Sequence, residues 1–179
     1  MRRIYDSDAL RRDDGEPGAP NEIERKTKLQ AMRSVPSAAL SDLFVPSGVK
    51  HRFLSVDVET AADEYALGES IPFTVTFRNH VPFPISITTE SPVLWTWSVD
   101  DDVEASAVSL RDPPDETGRF AFDRGERKRF RKRWDQMFRV TEADWEPAET
   151  GEYTIGAAIN AQNSEAKGLA GETTIRIVP

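Results

Sequence analysis

A strict two-residue alternation between positions 71 and 78 constrains the fold more than any other feature of the sequence. Ile71, Phe73, Val75 and Phe77 occupy the odd positions, whereas Pro, Thr, Thr and Arg occupy the even ones. Successive side chains of a β-strand point to opposite faces of a sheet, so the pattern predicts a strand with one buried face.

Similar short segments recur at near-regular spacing, and turns rich in Gly, Pro and Asp separate them. We expect strands near positions 54–58, 71–78, 85–87, 93–99, 103–110, 120–122, 127–134, 153–159 and 173–178. No helical segment separates them, and this order is typical of an antiparallel sandwich. The fold class we predict is therefore all-β, an immunoglobulin-like antiparallel β-sandwich over residues 50–179.

Residues 1–49 have a different character, being highly charged and interrupted by Gly and Pro. We expect a mostly irregular N-terminal arm there, partly disordered, with short helices at 21–32 and 37–44. Asn21 and Glu24 have the spacing of a capping box at the start of the first of these helices.

The most basic segment of the chain, Gly125 to Gln136, also alternates. As a strand it directs Phe130 and Trp134 to one face, and it directs to the other face a row of four arginines, Arg127, Arg129, Arg131 and Arg133. Three interpretations of this row stay open: pairing with the protein's own carboxylates, binding of a protein partner, and binding of nucleic acid. Screening by salt weakens phosphate binding most, which favours the first two.

Residues that commonly carry catalysis are scarce. The chain has no Cys and only two histidines, His51 and His80, both near expected strand ends. No serine-hydrolase or zinc-protease motif occurs. We therefore expect no catalytic, cofactor-binding or metal-binding residues, and we expect that the protein is not an enzyme.

Two acidic clusters could in principle bind Ca²⁺ through carboxylate oxygens. The first, Asp100 to Glu104, is better explained as a hairpin turn. The second, between Glu142 and Glu149, is better explained as a solvated loop that a buried Trp145 holds in place.

The overall charge indicates the cellular setting. The net charge is −8, and arginine greatly outnumbers lysine. This composition resembles that of proteins from salt-loving cells, in which an acidic surface maintains solubility, and the alternative is a GC-rich genome that favours arginine codons. There is no apolar stretch long enough to span a membrane and no signal-peptide core, so we expect a cytoplasmic protein.

Four motifs in order resemble the intracellular proteinase inhibitor (BsuPI-like) family. They are Tyr65-x-x-Gly-Glu-x-Ile with its alternating strand, Trp95-x-Trp-x-Val-Asp, Gly125-Glu followed by Phe and Trp-Asp-Gln, and Gly151-Glu-Tyr. The chain as a whole also resembles a haloarchaeal family that implies no activity. The BsuPI-like resemblance covers residues 65–159 and implies an immunoglobulin-like fold.

The resemblance further implies a non-enzymatic protein-binding module, with inhibition of a protease as one form of that function. The alternative is a regulatory or nucleic-acid-associated protein that uses the basic strand. In either case the expected binding residues are the four arginines of positions 127–133.

Overall fold

The computed structural model describes residues 51–179, and this part of the chain consists almost entirely of short β-strands. They are β1 (Leu54–Thr60), β2 (Glu64–Ala66), β3 (Ile71–Asn79), β4 (Ile85–Thr89), β5 (Trp95–Val99), β6 (Asp102–Val103), β7 (Gly118–Phe122), β8 (Arg127–Trp134), β9 (Met137–Arg139), β10 (Trp145–Pro147), β11 (Gly151–Ile159) and β12 (Ala170–Val178). The arm and the two helices expected within residues 1–49 lie outside the described residues.

Two sheets form the sandwich. One has the order β1-β3-β8, and the other has the order β2-β12-β11-β5-β6. All pairings in them are antiparallel except that of the short β2 with β12, which is parallel. Strands β1, β3 and β8 correspond to A, B and E, and strands β5, β11 and β12 correspond to C, F and G, as in the immunoglobulin arrangement. The predicted fold class is confirmed.

A tyrosine at the start of β11 supports the same assignment. The hydroxyl of Tyr153 accepts a hydrogen bond from the backbone N–H of Glu149 and donates one to its carbonyl, both at 3.0 Å. This is the tyrosine corner that many immunoglobulin-like domains have at the start of strand F. The Tyr153 ring packs on Trp134 of β8, with ring centroids 5.2 Å apart, so the corner also joins the two sheets.

The core lies between the sheets and follows the predicted alternation. Ile71, Phe73, Val75 and Phe77 of β3 are all buried. Branched aliphatic side chains of β11 and β12 face them across the sandwich, and the most deeply buried are Ile155, Ile159, Ile175 and Ile177. Burial of this apolar surface is the main stabilising contribution to the fold.

The strand pair β3–β8 continues into a second pair, β4–β7, after a bend. Arg78 lies opposite Arg127, and the next ladder pair is Ile85 with Phe122. Residues 79–84 and 123–126 form the bend between the two ladders, where backbone hydrogen bonds run from Asn79 N to Glu126 O and from Gly125 N to Val81 O. The buried side chain of Asn79 stabilises this bend, since its Nδ2 donates to the carbonyls of residues 83 and 123, both at 2.8 Å. The sequence indicates only that the strand ends at Asn79.

The sheets approach closely where β12 begins. A Cβ placed on Gly171 would lie 2.2 Å from the carbonyl oxygen of Val56 in β1. Only a glycine permits this approach of the two backbones.

Three details differ from the expected strand map. Residues 103–110 do not form a hairpin partner for β5, because only Asp102 and Val103 pair with it before the chain turns away. The connection 137–150 contains the hairpin β9–β10. Trp145, expected to be buried there, is 52% exposed, so that prediction is wrong. Its ring instead lies beside the Arg139 guanidinium, 5.9 Å from ring centroid to Cζ, where it makes a cation–π contact.

Candidate partner-binding surface

Strand β8 lies at one edge of the three-stranded sheet, and its two faces differ as predicted. Its four arginines are exposed, whereas Trp134 is buried and Phe130 half-buried. Phe130 packs on Trp95 with a centroid separation of 5.0 Å. The aromatic side chains therefore belong to the fold, and the arginines are available at the surface.

Across the outer face of this sheet, the charge changes from negative at the β1 edge to positive at the β8 edge. In register, Asp57 of β1 lies beside Thr76 of β3, which lies beside Arg129 of β8. The next row is Glu59, Thr74 and Arg131. Two strand spacings, about 9–10 Å, separate the acidic edge from the basic edge.

A fifth arginine adds to the basic edge. Arg78 of β3 lies directly opposite Arg127, and both are exposed. Like charges that face each other across a strand pair are destabilising. We call the surface formed by Arg78, Arg127, Arg129, Arg131 and Arg133 the arginine face. The sequence alone does not assign Arg78 to this surface, because that assignment requires the pairing of β3 with β8.

Within residues 51–179, one carboxylate forms an ion pair with the arginine face. Among the ion pairs within residues 51–179, one involves these five arginines, from Arg133 Nε to Asp135 Oδ1 at 2.9 Å. Neither of the two acidic residues in register, Asp57 and Glu59, forms an ion pair with these arginines, and Asp57 accepts a hydrogen bond from the Ser55 hydroxyl instead. In this part of the chain, pairing with the protein's own carboxylates therefore does not explain Arg127, Arg129 or Arg131.

The middle of the face also holds an unsatisfied polar group. Thr76 is buried, and its Oγ1 has no hydrogen-bond partner among the described residues. A buried hydroxyl without a partner costs about 1–3 kcal/mol. Within residues 51–179, the facing arginines and this unpaired hydroxyl are therefore two unfavourable features of the same face.

The lysines of β8 point the other way and cover aromatic rings. Lys132 Nζ lies 5.7 Å from the Trp95 ring centroid, and Lys128 Nζ lies 5.5 Å from that of Phe122. Lys128 also donates to Glu126 Oε1 at 2.8 Å. This hydrogen bond, together with one from the N–H of Asp123, holds the pKa of Glu126 below its ordinary value. These contacts fix the turn that leads into β8.

The end of β8 is anchored by Gln136, whose role the sequence does not reveal. Its side chain is buried, accepts from Gly68 N at 2.6 Å and donates to Ala66 O at 2.8 Å. Ser70 Oγ donates to the neighbouring Asp135. These bonds join the β8 end to the turn before β3, so they hold the edge strand at both ends together with the Glu126 turn.

The other candidate residues have structural partners. Nε2 of His80 is hydrogen-bonded to Ser55 Oγ at 2.9 Å. Asp100 and Asp101 form the two-residue turn between β5 and β6, both with positive φ, and Asp100 Oδ1 accepts from Thr154 N. Glu104 pairs with Arg111 at 2.6 Å. Residues 51–179 contain no cluster of three or more His, Asp or Glu that could hold a metal ion.

Comparison with known proteins gives a family for the chain. A family model described as a family of unknown function, DUF7974, matches residues 42–178. The chain belongs to the DUF7974 family. That description includes no inhibitor, so the BsuPI-like resemblance stays a prediction. No curated protein matches the sequence.

Solved structures similar to this DUF7974 domain are distant. A CARDB domain from Pyrococcus furiosus, in complex with di-metal ions, has TM-score 0.41 and 12% identity over 70% of this chain and 87% of its own. A β-glucosidase from Erythrobacter marinus has TM-score 0.42 and 16% identity, over 70% of this chain and 15% of its own. One from Listeria innocua has TM-score 0.40 and 13% identity, over 71% and 16%. These scores are too low for an inference about function.

Residues 51–179 contain no helix with the length and hydropathy that a transmembrane span requires.

Proposed function

We propose that this DUF7974 domain is a non-enzymatic protein-binding module that recognises an acidic protein partner through the arginine face. The observation that supports this most strongly is the set of exposed arginines at positions 127, 129 and 131, which have no ion pair among residues 51–179. Guanidinium groups form bidentate hydrogen bonds with carboxylates, so acidic side chains are their natural complement.

Nucleic acid is the alternative ligand, and the geometry favours it less. Proteins that bind single strands combine basic residues with aromatic rings on which bases stack. On β8 the aromatic side chains Phe130 and Trp134 point to the sandwich interior, and the face itself presents Arg and Thr. The surface therefore offers charge without a stacking platform.

A protein-capture experiment tests the proposal with a charge-matched control. The test variant carries Arg→Gln at positions 127, 129 and 131, and the control carries Arg→Gln at 52, 119 and 124, three exposed arginines outside the face. Exposed pairs contribute about 0.2–1 kcal/mol each, so we expect the loss of three pairs to weaken partner binding about three- to hundredfold. The control should bind as the unmodified protein does.

The partner itself provides the second readout. We expect the captured protein to be acidic at its contact surface and to stay bound after nuclease treatment. Equal binding by the two triple variants would refute the role of the arginine face. Release by nuclease would instead indicate a nucleic-acid ligand.

The finer proposal, taken from the BsuPI-like resemblance, is that the partner is a protease. An intracellular subtilisin-like protease from the same host, assayed with a stoichiometric amount of the domain at native salt, should then be slowed. Unchanged proteolysis would remove inhibition and leave the binding proposal in place.

A further inference from the structure

The backbone of β8, in addition to its side chains, is a candidate binding feature. Within residues 51–179, β8 pairs with β3 alone, so its other edge is unpaired in this part of the chain. An edge strand of this length presents a row of backbone N–H and C=O groups to which another strand can add.

The register shows which residues present those groups. Just before β8, the carbonyl of Glu126 accepts from Asn79 N at 2.9 Å, in the same register that places Arg78 opposite Arg127. Backbone polar groups of successive residues in an antiparallel strand point alternately to the two sides. Residues 128, 130, 132 and 134 therefore bond to β3, and the four arginines direct their N–H and C=O groups to the open edge.

Each arginine of β8 thus offers two things to an added strand. Its backbone supplies a donor and an acceptor, and its side chain supplies a positive charge on the outer face. In the hydrogen-bonded pairs of an antiparallel ladder, facing Cα atoms are about 5.5 Å apart, and their side chains lie on the same face. An acidic residue opposite each arginine would therefore be within reach of a bidentate ion pair.

The repeat of such a partner follows from strand geometry. Every second residue of any strand recurs at about 6.6–6.8 Å, so acidic residues at alternate positions match the arginines without strain. The residues between them would lie over Phe130 and Trp95, which are half-buried at the rim of the sandwich, so apolar side chains suit those positions. A second copy of β8 does not suit the edge, because antiparallel pairing would place arginine opposite arginine.

We propose that β8 binds its partner by β-strand addition, and that the added strand is an extended segment in which Asp or Glu alternates with apolar residues. This inference rests on the proposed function for the choice of an acidic protein partner, and it adds the backbone pairing and the two-residue repeat. It also accounts for a long edge strand whose outward side chains all carry one charge.

Synthetic peptides of about ten residues, near the usual upper length of a strand, test the inference directly on the full chain. One peptide alternates Glu with Val, and a second has the same composition with its glutamates in one block. We expect the alternating peptide to bind about tenfold or more tightly than the block peptide, measured by calorimetry or fluorescence anisotropy. The charges are equal in number, so a difference reports the repeat.

Backbone methylation tests the hydrogen bonds without changing charge. In the proposed register the Glu amides of the alternating peptide point to β8, and the Val amides point away. N-methylation at the Glu positions should weaken binding about tenfold or more, whereas N-methylation at the Val positions should change it less than about threefold. The two methylated peptides are each other's controls.

A pair of protein variants gives the same test from the other side. Arg129 directs its amide to the open edge, so proline there removes no bond to β3. R129P should bind the alternating peptide about tenfold more weakly than R129Q, which loses the same charge. The thermal transitions of both variants show whether they are folded, and the methylation experiment does not depend on them.

The outcomes separate the two proposals. Equal affinity for the alternating and block peptides, with no effect of methylation at either set of positions, would overturn strand addition and leave acidic recognition by the arginine face standing. No binding of either acidic peptide would overturn both proposals. Tight binding of a thymidine oligonucleotide that the triple variant abolishes, with no peptide binding, would also overturn both and assign the face to nucleic acid.

Discussion

Replacement of Gln136 by methionine should destabilise the domain strongly, although the side chains are similar in size. Gln136 is 2% exposed, and its amide bonds to Gly68 N and to Ala66 O. The carbonyl of Ala66 keeps a second bond, from Glu69 N at 3.0 Å, but the N–H of Gly68 has no other partner among residues 51–179. The variant therefore loses two hydrogen bonds and leaves one donor unsatisfied.

The magnitude follows from those contacts. Two neutral hydrogen bonds contribute about 1 kcal/mol each, and an unsatisfied partly buried donor adds about 1 kcal/mol or more, so we expect a loss of about 2–4 kcal/mol. Urea unfolding followed by tryptophan fluorescence should show a lower midpoint with an unchanged slope. Q162M, at an exposed glutamine, is the matched control and should change stability by less than about 0.5 kcal/mol. A loss in Q136M no larger than that of the control would refute the proposed anchoring of β8.

Three further perturbations test the fold around the face. G171A should lower the free energy of unfolding by at least about 2 kcal/mol, because the new methyl group meets the β1 carbonyl. G151A, where the nearest contact of the new methyl group is at 4.0 Å, should change the free energy of unfolding little in the same denaturation assay. W134A should lower the free energy of unfolding by about 3–5 kcal/mol, because that ring is buried. W145A should lower it by less than about 1 kcal/mol, because that ring is exposed, and similar losses in the two variants would contradict the assigned burial. E126Q should cost about 0.5 kcal/mol at neutral pH. Since the pKa of Glu126 is lowered from 4.5 by folding, this cost should disappear as the pH falls below the folded-state pKa, and a pH-independent cost would exclude the ion pair as its cause.

The sequence predicts best those strands that have one buried face. In β3 and β8 the core imposes the alternation directly, so the alternation by itself assigns Phe77, Trp134 and the arginines to the correct faces. Where a segment is short or exposed on both sides, this signal is absent. The hairpin β9–β10 has three residues in each strand, and its exposed Trp145 obeys no burial pattern.

The parts of the site that depend on long-range pairing could not be predicted. Arg78 joins the arginine face only because β3 and β8 pair in a particular register. Gln136 reaches a turn 68 residues earlier in the chain, and nothing local distinguishes it from an exposed glutamine. Burial patterns report one residue's surroundings, whereas these contacts require the relative position of two distant segments.

The alternation in β8 has a consequence for how the family can diversify. Odd positions face solvent and even positions face the sandwich, so substitutions at the arginines can change the choice of partner while the core stays intact. Insertion of a single residue into the strand would have the opposite effect, because it would exchange the two faces and bring guanidinium groups into the interior. This strand can therefore diversify by substitution of its outward residues, whereas an insertion or deletion of one residue would disrupt the core.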